Sequence, residues 1–173
     1  MDSGLVEVRG SFSRCVSRKR DPLSTEGARL LGGRFNPIGC PALYLAGTPT
    51  LAVAESLQLS TIYGVVRFNP RLLVSVEVAL ARVLDLTAEE NLARLGLSVE
   101  ELHAEWRTAL EPTIAQRIGQ QTRDASVEGI LFPSKVEPGV TNLCVFRENL
   151  LSDSHLSPDG YDDVWPEPGG GQA

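Results

Sequence analysis

The chain has 173 residues, a formal net charge of −6, 42% hydrophobic and 22% charged residues. These values suit a single soluble domain with a sizeable core, and no apolar run approaches the ~20 residues that span a membrane. Asp2, Glu7 and Arg9 interrupt the first residues, so no secretory signal is expected and the cytoplasm is the expected compartment.

Cysteine and histidine usage narrows the chemistry. Cys15, Cys40 and Cys144 are far apart and form no C-x-x-C pair, which argues against a disulfide framework and a structural zinc site. The histidines are His103 and His155; His103 falls in a polar helical pattern and is read as a solvated position. A Ser-His-Asp centre, a Cys-His centre or a histidine-ligated metal is not expected. Chemistry would have to run on Arg, Tyr, Glu, Ser and backbone groups, without a metal. Residues 152–173 carry five acidic groups and no Lys or Arg, so the rest of the chain is almost neutral. No broad basic patch of the kind nucleic-acid binders need is visible.

In chain order, Leu5–Val8 and Phe12–Val16 read as two short strands flanking Gly10. Arg14, Arg18, Lys19 and Arg20 gather positive charge near one turn. They serve solubility and pairing with Asp21 and Glu26, or form a rim for a phosphate-bearing ligand. Asp21–Ser24 is a loop, because the residue before proline avoids the helical region. Gly32-Gly33 then permits tight backbone geometry just before Arg34. Arg34 is placed to offer a bidentate donor to phosphate. No G-x-G-x-x-G is present.

Leu43 and Leu45 alternate with Tyr44, which puts Tyr44 on the opposite face of a short strand. Thr48 and Pro49 are an N-cap and a first helical residue. On that helix Glu55 falls into a stripe with Leu51, Ala52, Leu59 and Ile62. A carboxylate in an apolar stripe has a partner, a task or a route to solvent. Leu72–Leu80 alternates as a strand with one wet face. Thr87 with Glu90 and Ser98 with Glu101 predict capping boxes, for helices near 88–95 and 99–107. Pro112 predicts the start of a third helix, with Ile114 and Ile118 pointing inward. Gly129–Phe132 and Asn142–Phe146 are short buried strands, and Ser134 follows the first of them. From Ser152 on, Ser, Asp, Pro and Gly predict a flexible or weakly docked tail. The expected division is therefore a domain over 1–151 and an acidic tail over 152–173.

The run Gly32-Gly33-Arg34-Phe35-Asn36, then Pro41 to Ala46 with Tyr44, then Ala54-Glu55, and finally Phe132-Pro133-Ser134 with Thr141-Asn142-Leu143, resembles the RES family. The resemblance covers about residues 5–150. It implies an α+β, ADP-ribosyltransferase-like fold of small mixed sheets flanked by helices. It implies a toxin of a bacterial toxin–antitoxin system that cleaves the nicotinamide–ribose bond of NAD+, with water or phosphate as acceptor. By the resemblance Arg34, Tyr44, Glu55 and Ser134 are catalytic, Arg14, Arg34, Asn36 and Tyr44 hold the NAD+ substrate, and no metal takes part. The implied partner is an Xre-type helix-turn-helix antitoxin, with a homodimer inside the complex and no direct contact of this chain with nucleic acid or membrane. Two positions depart from the family pattern: Phe35 stands where Trp is frequent, and Ser13 stands before Arg14 where Tyr is frequent. The alternatives are a mono-ADP-ribosyltransferase acting on a protein, and a non-catalytic interaction module in which Glu55 and Arg34 form a structural pair.

Overall fold

The computed structural model describes residues 4–62 and 71–164, with the side chains of 59–62 and 164 outside the description. The elements run β1 (Leu5–Ser17), α1 (Glu26–Leu31), β2 (Leu43–Leu45), α2 (Pro49–Ile62), β3 (Arg71–Asp85), α3 (Glu89–Leu95), α4 (Val99–Leu102), α5 (Ile114–Asp124), β4 (Gly129–Pro133), β5 (Thr141–Val145) and β6 (His155–Val164). The architecture is the expected α+β single domain. Its strands form one mixed six-stranded sheet in the order β1-β3-β4-β5-β2, with β6 also paired to β3. β3 and β4 are parallel, and parallel neighbours need a long crossover, which α3, α4 and α5 supply. A bridge between Ser13 and Ala46, two backbone hydrogen bonds of 2.8 Å, ties the end of β2 back to β1. The sheet thereby curls almost closed.

Alternation sets which face goes where. Val74, Val76 and Val78 of β3 turn inward with Leu43, Leu45, Leu143 and Val145 to form the inner core. The opposite face of β2, β4 and β5 packs Ile130, Phe132 and Cys144 against Leu92, Leu102 and Ala115 of the crossover helices. Leu51 and Ala52 of α2 cover Cys15 and Leu73 on the outer side of β1 and β3. Leu51 and Ala52 seat α2 on the sheet, which brings Glu55 with them.

Several expectations are corrected here. Leu5–Val8 and Phe12–Val16 are one continuous strand, because Gly10 takes φ +144° and stays in register opposite Val78. β3 runs on to Asp85, beyond the expected end at Leu80. Residues 155–164 are not a weakly docked tail: they pair antiparallel with β3 from Arg71 to Ala79, and Arg18 pairs with Asp163. Thr87 does not cap α3, since its amide and hydroxyl both bond Asp85 Oδ1. The Ser98–Glu101 box forms, yet α4 ends at Leu102 rather than near 107. α5 begins at Ile114 behind a Thr113–Gln116 capping box, which places Ile114 outward and Ile118 against the core. Leu59 and Ile62, expected in the stripe of α2, have side chains outside the description.

One buried acid sits where β1 and β3 shift register. Glu128 is completely buried, and its carboxylate accepts from the amides of Ala81, Arg82 and Leu151. Glu128→Ala would strand three amide donors, each costing about 1–3 kcal/mol when buried without a partner. The expected result is a loss on the order of 3 kcal/mol in urea unfolding, with a smaller loss for Glu128→Gln. An unchanged urea midpoint for Glu128→Ala would show that water satisfies those amides.

Candidate active site

The site is built on the loop between α1 and β2. Gly32 closes α1 at φ 74°, and Gly33 follows where no Cβ fits, 2.5 Å from both Asn36 Oδ1 and the Tyr44 hydroxyl. The Tyr44 hydroxyl accepts from the Phe35 amide at 2.9 Å and donates to Asn36 Oδ1 at 2.7 Å. Asn36 Nδ2 donates to the carbonyls of Ala28 and Cys40, at 2.9 and 2.8 Å. From below, Gln116 Nε2 donates to the carbonyls of Gly33 and Asn36, at 3.0 and 3.2 Å. The Phe35 ring is buried edge-on to Phe132, with centroids 4.8 Å apart. The loop is thus fixed from three sides, and Arg34 is the one polar side chain of the Gly33–Asn36 turn that it projects past the core.

Arg34 Nη1 donates to the Leu102 carbonyl at 2.8 Å, and its guanidinium lies 5.8 Å from the centre of the Phe132 ring. Burial lowers its pKa, while Tyr44 and Glu55 oppose that shift. Glu55 receives Asn142 Nδ2 at 2.9 Å on Oε1. The same Asn142 accepts from the Gly47 amide at 3.2 Å, so its orientation is set by the backbone that enters α2. Burial raises the Glu55 carboxyl above the ordinary value, with Asn142 and the Arg34 charge pulling it back. Burial also raises the Tyr44 phenol well above its ordinary range, so it stays neutral. A cation and a desolvated carboxylate therefore feel one another's charge, and the cation lies against the Phe132 ring.

The structure brings together Arg34, Tyr44 and Glu55 of the expected set. Ser134 lies at the end of β4, where its hydroxyl accepts from the amides of Val136 and Glu137 and holds the 134–140 turn. It is Asn142, and not Ser134, that orients Glu55. Asn36 is buried with its amide engaged inside the loop, where it staples the turn that carries Arg34. Arg14 stands apart from this group. It lies on the inner face of β1 bonded to the Pro22 carbonyl, and the charges it meets are Asp21, Arg20 and Arg147 rather than those of the site. Burial there lowers its pKa to about 10.

Two residues of the site carried no role in the sequence reading. Asn142 interrupts the apolar β5 at a position facing the same way as Cys144, which was the available signal. His103 is not simply solvated: it ends α4, its Nε2 meets the Pro133 carbonyl at 3.1 Å, and burial lowers its pKa. Of the two departures, Phe35 fills its place in the core and is only 1% exposed. Ser13 lines a cleft of about 430 Å³ with Ser11, Gly47, Ser75 and Tyr161, into which an aromatic side chain would project.

A family model described as "RES domain" matches residues 11–164. The NAD(+) phosphorylase MbcT of Mycobacterium tuberculosis (strain ATCC 25618 / H37Rv) is 29% identical over 149 residues, covering 78% of this chain and 77% of the relative. The protein named Toxin Res of Photorhabdus laumondii subsp. laumondii is 30% identical over 139 residues, covering 76% of each. The crystal structure of the M. tuberculosis MbcT–MbcA toxin–antitoxin complex contains a chain that superposes with a TM-score of 0.79 at 25% identity, covering 94% of this chain and 87% of that one.

Proposed function

The chain belongs to the RES domain family, and from that premise we propose that it is the toxin of a bacterial toxin–antitoxin pair, degrading NAD+ by splitting the nicotinamide–ribose bond with phosphate as acceptor. The observation that carries the reading is Glu55, desolvated, held by Asn142 and within reach of the Arg34 charge. The name of the M. tuberculosis relative, an NAD(+) phosphorylase, favours phosphate as the acceptor.

The residue types suit the reaction. Departure of nicotinamide leaves positive charge on the ribose carbon, and nicotinamide leaves as a neutral group, so no strong acid is required. Glu55 in its ionised form stabilises that charge and takes a hydrogen bond from a ribose hydroxyl. Arg34 engages the diphosphate, while Phe132 and Tyr44 give the base and ribose an aromatic wall. A phosphate oxygen then bonds the ribose carbon as the bond to nicotinamide breaks. Tyr44 acts mainly by fixing the loop of Arg34, since its hydroxyl is already committed.

Asn142→Ala tests the support of Glu55. The lost hydrogen bond held the Glu55 pKa down, so the carboxyl should rise further and the acidic limb of the rate profile should move to higher pH. A profile of kcat/KM with its acidic limb in the parent's place would remove Asn142 from this role.

The acceptor is decided by incubating the protein with NAD+, with and without phosphate, and identifying products by phosphorus NMR. A phosphorylated ADP-ribose formed only with phosphate is expected. Free ADP-ribose at equal rate without phosphate would make the enzyme a glycohydrolase. NAD+ consumed only when a protein acceptor is present would make it a transferase, and no consumption at high enzyme concentration would leave a binding module. The partner in this reading is an Xre-type helix-turn-helix antitoxin, in a complex built on a toxin homodimer. The structural neighbour was solved as a toxin–antitoxin complex, which supports an antitoxin as the partner here. Expressed alone, the chain should stop growth and lower cellular NAD+, and co-expression of the antitoxin should restore both.

A further inference from the structure

The segment after α4 carries a cation that the proposed reaction leaves unused. Arg107 sits in the irregular stretch between α4 and α5, a few residues beyond the Leu102 carbonyl that receives Arg34. Its guanidinium stacks on the Trp106 ring at 4.5 Å from the centroid, which fixes its plane. Nη1 pairs with Glu105 at 3.2 Å. Its Nε is buried and has no hydrogen-bond partner, which is the single such side-chain atom among the described residues. A buried donor without an acceptor is costly and marks a place where an acceptor belongs. Arg34 and Arg107 are near enough for the charge of one to oppose that of the other. Lys135 adds a third cation, its Nζ bonded to the His103 carbonyl. Glu105 offsets part of this charge, and the remaining excess of cations attracts an anionic ligand.

We propose that Arg107 is a second anion-binding residue of the site, which closes with Arg34 on a diphosphate. The geometry explains both features at once. The two planar forks suit the two phosphoryl groups, one each, and the orphan Nε of Arg107 gains an oxygen acceptor. The Trp106 ring limits the rotamers of Arg107, so little order is lost when the ligand arrives. The identity of the ligand as the diphosphate of NAD+ rests on the function proposed above, but the anion site does not.

The test separates the two. Trp106 stacks on the residue in question, so its fluorescence reports the site in a Trp165→Phe background. Inorganic diphosphate and ADP-ribose should each change that signal in a saturable way. Arg107→Gln should weaken both about 10- to 100-fold, the usual value of a charge-assisted pair of hydrogen bonds. Arg107→Lys should retain part of the binding, because charge remains and the fork is lost. Arg20→Gln, on the far cluster, should change neither. With NAD+ as substrate, most of the loss in Arg107→Gln should appear in KM. Unchanged affinity for diphosphate in a folded Arg107→Gln protein, or no diphosphate binding by the parent, overturns the proposal. Arg107-dependent diphosphate binding in a parent that never consumes NAD+ would support it while refuting the proposed function.

Discussion

Glu55→Gln is expected to lower NAD+ cleavage about 10²- to 10³-fold, the usual cost of removing one preorganised electrostatic contact to a developing charge. The same change should leave the fold as stable as the parent, or more stable, at neutral pH. Burial raises the Glu55 pKa in the folded protein above its unfolded value. The unfolded chain therefore binds fewer protons than the folded one between those two values, and stability falls as pH rises through that window. Above it the penalty for holding a buried carboxylate is complete, and glutamine removes it. Glutamine can still accept from Asn142 Nδ2, so the local hydrogen bond survives. Thermal unfolding of both proteins across the acidic to neutral range, together with single-turnover assays, checks this. Cleavage near the parent's rate would take Glu55 out of the chemistry. A variant that lost stability at neutral pH would mean the carboxylate is a structural ion-pair member.

Gly119→Ala is expected to damage stability and activity together. A Cβ at Gly119 would lie 1.8 Å from the Phe35 carbonyl oxygen and 2.6 Å from its carbon. Both atoms are backbone, so no side chain can swing aside. Either α5 withdraws or the Arg34 loop shifts. Overpacking of this kind costs about 1–3 kcal/mol, occasionally more, and the backbone contact places it at the upper end. Gln116, one turn earlier on α5, would lose its grip on the carbonyls of Gly33 and Asn36 as well. The expected readout is a fall in Tm of several degrees and a loss of NAD+ affinity, because Arg34 no longer points where the loop set it. Gly27→Ala on α1 is the control: its Cβ would meet only Arg20 Nη1 at 3.7 Å, an ordinary contact. That change should be neutral or slightly stabilising, since alanine favours helix. An equal effect from the two substitutions would mean that the close approach of α5 to the loop is not what holds the site.

Much of the local structure was legible because its causes are local. Thr48 before Pro49, Ser98 before Glu101, and the alternation of Leu43, Tyr44 and Leu45 each depend on residues within one turn or one pleat. Arg34, Tyr44 and Glu55 were singled out by their family likeness and by Glu55's expected place in an apolar stripe, and the fold brings Tyr44 and Glu55 within reach of the Arg34 charge. What the chain did not show by itself were the long-range partners of polar groups. Asn142 reaches Glu55 across 87 positions; each is a polar residue in apolar surroundings, but nothing local says that they are each other's partner. Asn36 was expected at the ligand through the family likeness, and the chain did not show that three carbonyls and the Tyr44 hydroxyl engage its amide. Arg14 looked like part of a phosphate rim, but strand alternation turns it to the inner face, away from α2 and Glu55. Residues 155–164 looked unstructured because their composition is polar, yet an exposed edge strand needs little apolar surface of its own. The backbone edge of β3 supplies its hydrogen bonds. Composition and spacing therefore determined many of the local elements, while the candidate site residues were named through the family likeness. Which buried donor meets which acceptor was decided only when the sheet closed, because a buried polar group must find its partner wherever the fold brings one.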